Sequence, residues 1–192
     1  MYLAREYADD KKKILSFFDK GEKIAAAIQQ QIQFTKDYQD MGATDPAWQN
    51  VSESITQAIA RLPVRDIRVD IDRGDLEIYA DPLAEKVFYN LIDNALRYGG
   101  EQMTTIRISS QESDNGLTIV CEDNGAGIPE VDKKALFTKG VGKNTGLGLF
   151  LSKEIFAITG ITITETGEPG KGARFEITVS KGNYRFTHDT SG

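Results

Sequence analysis

Apolar and small residues between positions 10 and 40 recur at Ile14, Phe17, Phe18, Gly21, Ile24, Ala25, Ile28, Ile32 and Thr35. The steps are three and four, Lys and Gln fill the other faces, and no proline interrupts. Such an alternation predicts one long helix that offers a stripe to a partner helix. Thirty helical residues extend about 45 Å, further than the side of a small domain, so the helix is expected to project. "DMGATDP" then punctuates with glycine and proline, and "WQNVSESITQAIARL" reads as a short helix.

From there the period changes to two. "DIRVDI" and "LEIYA" alternate around "DRGD" and predict a hairpin. "DPLAEKVFYNLIDNALRYG" returns to a helical period: Asp81 is a cap, Pro82 suits the first turn, and Gly99 or Gly100 ends it. Leu83, Val87, Phe88, Leu91, Ile92 and Ala95 form its apolar stripe. "TTIRISSQ" and "GLTIVCED" are strands, and a short helix near "EVDKKALF" interrupts a glycine-rich stretch over 124–148. "GLFLSKEIFAIT" is a further amphipathic helix, and "ITITETG" with "ARFEITVS" closes a last hairpin. Hairpins with helices inserted between them predict an α/β protein, an α+β two-layer sandwich. Its mixed sheet carries helices on one face and follows a long helix.

Composition removes several classes. The 192 residues are 27% charged and 40% hydrophobic, and the net charge of −6 argues against a nucleic-acid binder. No apolar run approaches a membrane span, and "MYLAREYADDKKK" has no signal-peptide core, so membrane contact is not expected. One cysteine, Cys121 in "LTIVCED", excludes an internal disulfide and a cysteine-cluster metal site, and reads as a buried strand thiol. The one histidine, His188, lies in a polar end.

"NLIDNALRYGG" places Asn90 and Asn94 one turn apart, although asparagine is a mediocre helix former. Their amide oxygens are neutral hard ligands suited to Mg²⁺, which takes its remaining ligands from water and nucleotide phosphates. Arg97 lies within reach of a phosphate oxygen, and Asp123 at a strand end can accept from an exocyclic amine such as adenine's. Two glycine segments, "DNGAGIP" and "GVGKNTGLGLF", fit no common phosphate loop. A Walker loop ending at Gly142-Lys143 fails at Phe137 and Asn144, and a dinucleotide fingerprint from Gly125 fails at Glu130. "DNGAGIP" alone is compatible with a plain turn. "NTGLGLFL" is harder to dismiss: Gly146 and Gly148 open a helix behind the possible cap Thr145, where free N–H groups form a phosphate cradle. Lys139 and Lys143 add positive charge just upstream.

At these residues the sequence resembles the ATP-binding catalytic domain of sensor histidine kinases, in the GHKL superfamily. "NLIDNALRY" is similar to the N-box, "DNGAGIP" to the first glycine box, "LFTKGVGKNTG" to the phenylalanine box and ATP lid, and "TGLGLFLSKEI" to the second glycine box. "GKGARFEI" is similar to the later strand entry, and four motifs in order cover about residues 46–181. The resemblance implies a GHKL-type fold with ATP and Mg²⁺ between the N-box helix and the lid. It makes Asn94 the principal Mg²⁺ ligand and Asn90 its helper, both of them catalytic. Arg97 and Tyr98 take the phosphate-contacting place. Asp123 takes the adenine amine, on a wall shaped by Gly125, Gly127 and Ile128. Thr145, Gly146, Leu147, Gly148 and Leu149 hold the phosphates, with Lys139 and Lys143 beside them. Asn144 and Ala173 depart from the family's usual glycine and threonine.

"LSFFDKGEKIAAAIQQQIQFTKDYQD" resembles the second helix of the family's dimerisation and phosphotransfer hairpin, whose first helix carries the acceptor histidine. The expected organisation is residues 1–40 as that truncated helical region, 41–45 a linker, 46–182 the catalytic domain and 183–192 a polar tail. The chain is then a fragment beginning near the end of the first helix, the alternative being a natural chain without an acceptor. The resemblance implies a homodimer through the helical region, a response-regulator receiver domain as partner and a cytoplasmic location. Two other readings stay open. One is a hydrolysing GHKL ATPase or a serine-directed anti-sigma kinase; the other is a non-catalytic nucleotide-sensing or dimerisation module. Asn90, where hydrolysing relatives carry a glutamate, counts against the first.

Overall fold

The computed structural model describes residues 11–72, 74–140 and 146–187. The long helix is present as α1 (Lys11–Asp40). Along it, among the described side chains, only Phe34 and Asp37 are buried, near its C-terminal end, while Leu15, Phe18, Ile24, Ile28 and Ile32 are exposed. The stripe read from the sequence therefore projects from the body, as a face seeking another helix would.

The next segment departs from the expected helix. "AWQN" is strand β1 (Ala47–Asn50), and α2 (Val51–Ala60) starts only after it. Asn50 makes the switch: its side-chain oxygen accepts from the Glu53 N–H at 2.9 Å, capping α2. Strands β2 (Arg68–Ile71) and β3 (Leu76–Ala80) follow, then α3 (Ala84–Tyr98), β4 (Thr105–Ser113) and β5 (Gly116–Asp123). A single-turn α4 (Glu130–Lys133), α5 (Gly148–Ala157), β6 (Thr162–Glu165), β7 (Arg174–Val179) and β8 (Tyr184–Phe186) complete the described chain.

The strands form two sheets, ordered β2-β4-β5-β7-β6 and β1-β3-β8. The larger is mixed, with β2 parallel to β4 and its other pairs antiparallel. The hairpin expected of β2 and β3 does not form. β3 lies between β1 and β8 in the smaller sheet, and the turn after β2 hands the chain from one sheet to the other. The excursion through β3 and α3 gives the long crossover that the parallel β2–β4 pair requires. Phe186 and Tyr184, from the segment read as a polar tail, pair with Leu76 and Ile78. The β4–β5 and β6–β7 hairpins form as expected.

One face of the larger sheet supplies Ile106, Ile108, Leu117, Ile119, Ile177 and Val179, all essentially inaccessible. Against it lie Phe88, Leu91 and Ile92 of α3 with Ile155 and Phe156 of α5. The Phe88 and Phe156 rings meet edge to face, centroids 6.4 Å apart. Cys121 is buried in this layer, its thiol pushed up to about 12 by desolvation, so it stays protonated and inert. Asp81 does not cap α3 itself, whose N-cap is Leu83 with no side-chain cap bond, because Pro82 and Leu83 form a turn ahead of the helix. Asp81 braces that turn instead. Its Oδ1 accepts from the Leu83 N–H at 2.8 Å and its Oδ2 from the Gly42 N–H at 2.9 Å, tying the exit of α1 to the entry of α3.

Candidate functional site

A cavity of about 960 Å³ runs between α3, the ends of β5 and β7, and the start of α5. That is the upper part of the range for ligand pockets and ample for a nucleotide. Asn90, Asn94, Arg97, Tyr98, Asp123, Gly127, Ile128, Gly146, Leu147, Gly148 and Leu149 all line it. Stretches more than fifty residues apart in sequence are thus brought to one space.

On the α3 wall the two asparagines differ. Asn90 Nδ2 donates to the Gly148 carbonyl and to Ser152 Oγ, both at 3.0 Å, so its amide is anchored to the first turn of α5. The half-buried Asn94 makes no side-chain hydrogen bond among the described residues, and its amide is open to a ligand. Arg97 reaches the cavity edge with its Nε held 2.6 Å from Asp93 Oδ2, a contact that raises its pKa further. Tyr98 is half-exposed at the same edge.

Asp123 forms the opposite end. Its Oδ1 accepts from the Gly125 N–H at 2.8 Å and the Ala173 N–H at 3.2 Å. One carboxylate oxygen is thereby fixed and the other left for a ligand donor. Burial raises its pKa, the two backbone hydrogen bonds oppose that, and the Glu165 charge adds to it. The glycines around it permit close backbone approach. A Cβ on Gly125, which stands behind the cavity wall, would lie 2.4 Å from the Gly99 carbonyl oxygen. One on Gly172 (φ +108°) would lie 1.8 Å from the Asp123 carbonyl oxygen.

The start of α5 brings Gly146, Leu147, Gly148 and Leu149 to the cavity, where first-turn N–H groups have no intrahelical acceptor. Lys143 and Thr145, assigned to the phosphates, and the departure at Asn144 lie outside the described residues, as does His188. Lys139 is elsewhere: its ammonium lies 5.5, 5.6 and 6.0 Å from the ring centroids of Phe34, Tyr38 and Phe150. The ammonium is held by aromatic faces rather than at the cavity wall.

Sequence reasoning missed two contributions. Gln30, Gln33, Phe34 and Asp37 of α1 also line the cavity, and Asp37 Oδ2 pairs with Lys86 Nζ at 2.8 Å. Ser152, wholly buried, joins Asn90 to the Gly148 carbonyl. Its spacing of four from Gly148 is visible in the sequence, but serine in a helix is too common for that to single it out.

Among the described residues no cluster of His, Cys, Asp or Glu could hold a metal by itself. The amide oxygens of Asn90 and Asn94 fit an ion that draws most of its ligands from water and phosphate. No helix among those residues is long and apolar enough to cross a membrane.

The family described as "Histidine kinase-, DNA gyrase B-, and HSP90-like ATPase" matches residues 79–183, more than half of the chain. The chain belongs to that family. Within it, the relatives point to the sensor histidine kinases. The alginate biosynthesis sensor protein KinB of Pseudomonas aeruginosa is 30% identical over 165 residues, covering 80% of this chain and 28% of its own. Sensor histidine kinase WalK of Bacillus subtilis is 32% identical over 138 residues, covering 66% of this chain and 21% of its own. The chain thus spans less than a third of these relatives. The catalytic domain of histidine kinase ThkA superposes with a TM-score of 0.62 at 25% identity, over 72% of this chain and 99% of that one. Acinetobacter baumannii histidine kinase AdeS shares the fold at a TM-score of 0.63 and 22% identity, over 91% of this chain and 86% of its own.

Proposed function

We propose that this chain binds Mg-ATP in the cavity and donates the γ-phosphoryl group to a histidine outside this sequence, for relay to a response-regulator aspartate. The observation that carries the reading is the polarity of the cavity along α3. A carboxylate oxygen of Asp123 is fixed at one end, and an amide pair on α3 faces the glycine entry of α5 at the other. The first end suits the exocyclic amine of adenine. The second suits phosphates, with Asn94 and Asn90 holding Mg²⁺, which when bound neutralises phosphate charge.

In the transfer, the bond from the γ-phosphorus to the bridging oxygen of ADP breaks and a bond to an imidazole nitrogen forms. Neutral imidazole is already a nucleophile, so the protein's contribution is positioning. The α5 first turn orients the phosphates, α3 sets the metal end and Asp123 fixes the base. Asn90 has no carboxylate with which to take a proton from water, which favours transfer over hydrolysis.

The family relationship and the sensor kinases among the relatives support this reading. The test supplies the chain with a separate acceptor-helix peptide and labelled ATP. Mg²⁺-dependent, acid-labile label on the peptide is the expected result. Label that never leaves ATP, with ATP bound, would turn the reading into that of a nucleotide sensor.

A further inference from the structure

We propose that Ser152 is a positioning residue for the metal end of the site, acting by locking the Asn90 amide with its oxygen turned to the ligand. The proposal rests on the reading of Asn90 as a Mg²⁺-holding group. It follows from counting donors and acceptors in a closed ring of three hydrogen bonds. The Gly148 carbonyl receives both the Ser152 hydroxyl, at 2.9 Å, and Asn90 Nδ2, at 3.0 Å. A carbonyl oxygen only accepts, so both partners donate to it. The hydroxyl proton is thereby used, so Ser152 Oγ accepts from Asn90 Nδ2 at 3.0 Å through a lone pair. Both contacts of the Asn90 amide nitrogen are thus to acceptors, so the nitrogen faces α5 and Oδ1 is the atom left for a ligand.

Flipping the amide would set Oδ1 against the Gly148 carbonyl, two acceptors facing each other in a partly buried place. Ser152 is wholly buried, so water cannot take over its share. A serine bonded to the carbonyl four residues earlier is commonplace in helices, and by itself means nothing. What distinguishes Ser152 is the second bond, which reaches across to α3. Asn90 also packs directly on the α5 entry: a Cβ on Gly148 would stand in van der Waals contact with Asn90 Cγ and Oδ1, at 3.4 Å. The ring also couples the metal end to the phosphate end, because the carbonyl at its centre belongs to the first residue of α5.

The experiment titrates Mg²⁺ against a fixed concentration of AMPPNP and reads binding by calorimetry, for the parent, Ser152→Ala, Asn90→Ala and the double variant. Ser152→Ala should raise the Mg²⁺ needed for half-saturation roughly three- to ten-fold, the scale of one hydrogen bond. Nucleotide binding without Mg²⁺ should change less than about two-fold, since that bond does not serve the metal-free complex. In the Asn90→Ala background Ser152→Ala should have no further effect. Restoring the hydroxyl as Ser152→Thr should recover most of the loss. An unchanged Mg²⁺ requirement in Ser152→Ala, or an equal effect with and without Asn90, would overturn the proposal, the latter marking a merely structural serine. Asn90→Ala with the parental Mg²⁺ requirement would instead sink the metal reading itself, and this proposal with it. If Ser152→Ala is too unstable to assay, Ser152→Cys, closer in volume and a poorer hydrogen-bonding group, is scored the same way.

Discussion

The Lys139 ammonium stands 5.5 Å from the centre of the Phe34 ring, joining the segment before the second glycine stretch to the end of α1. Tyr38 of the same helix and Phe150 of α5 complete the aromatic surround. A single exposed cation–π contact stabilises by about 0.5–1 kcal/mol. Lys139→Ala should therefore speed amide exchange over residues 34–40 about two- to five-fold, with no effect on the β4–β5 hairpin. A phosphate that drew Lys139 from the rings would act alike. Saturating AMPPNP with Mg²⁺ should then speed the same amides in the parent and add nothing in Lys139→Ala. Exchange that slows in both proteins would show that nucleotide and α1 do not compete for this lysine.

Asp123 gives a pH signature. Burial holds its pKa above the ordinary value, so on acidification the carboxylate is lost earlier than in an exposed aspartate. Adenine-nucleotide affinity should fall as the pH drops through that raised value, and Asp123→Asn should flatten the dependence. At neutral pH the substitution should weaken ATP about 10- to 150-fold, the scale of a charged hydrogen bond. The empty fold should respond oppositely. With a raised folded pKa, the stability linked to this carboxyl is present at low pH and lost as the pH rises through it. Asp123→Asn should thus melt no lower than the parent at neutral pH. ATP and GTP binding the parent equally would remove Asp123 from base recognition.

How much of this is legible in the sequence depends on whether a feature is local. The α3 stripe is set by its own period, and Val87, Phe88, Leu91, Ile92 and Ala95 are all buried where that period puts them. Strand character in β2 and β3 is equally local, because each alternates. Their partners are not: alternation says which face is apolar, not which strand lies alongside. "DRGD" is good turn chemistry whether the chain folds back or crosses to another sheet. β1 ("AWQN") does not alternate apolar and polar residues, and β8 is three residues long, too short for a period of two to be told from chance. The site follows the same division. Asn90, Asn94 and Asp123 are visible because their residue types are unusual in their places. The aromatic surround of Lys139 and the α1 wall of the cavity arise from contacts a hundred or more residues apart in some cases, and no local pattern marks them.

Gly172 tests how the base end is built. Its φ of +108° suits glycine, and a Cβ would lie 1.8 Å from the Asp123 carbonyl oxygen. A side chain there carries backbone strain of about 1–3 kcal/mol and must also push β5 from the loop before β7. Gly172→Ala should lower unfolding stability by at least about 2 kcal/mol in urea titration and weaken nucleotide binding more than Gly170→Ala. Gly170, also at positive φ (+83°), has open space at its Cβ, so the comparison separates backbone strain from displacement of Asp123. Equal nucleotide affinity in the two variants would show that Asp123 tolerates the shift.

Asn94→Ala is the decisive substitution for the phosphate end. Asn94 sits one turn beyond Asn90 on the same wall, but no protein group among the described residues engages its amide, so little of the fold depends on it. Its loss should leave the unfolding free energy within the range of ordinary surface changes, about 0.5 kcal/mol. If its oxygen holds Mg²⁺ against the phosphates, transfer to a supplied acceptor helix should slow roughly 10²- to 10³-fold, the scale for losing one preorganised electrostatic partner. Nucleotide should still bind, because Asp123 and the first turn of α5 are untouched. The two asparagines then separate by their readouts: Asn90→Ala should disturb the α5 turn as well as the metal, whereas Asn94→Ala should be silent until Mg²⁺ is added. An Asn94→Ala protein that labels the acceptor at the parental rate would refute the metal assignment. One that no longer binds nucleotide even without Mg²⁺ would show that Asn94 serves the phosphates directly.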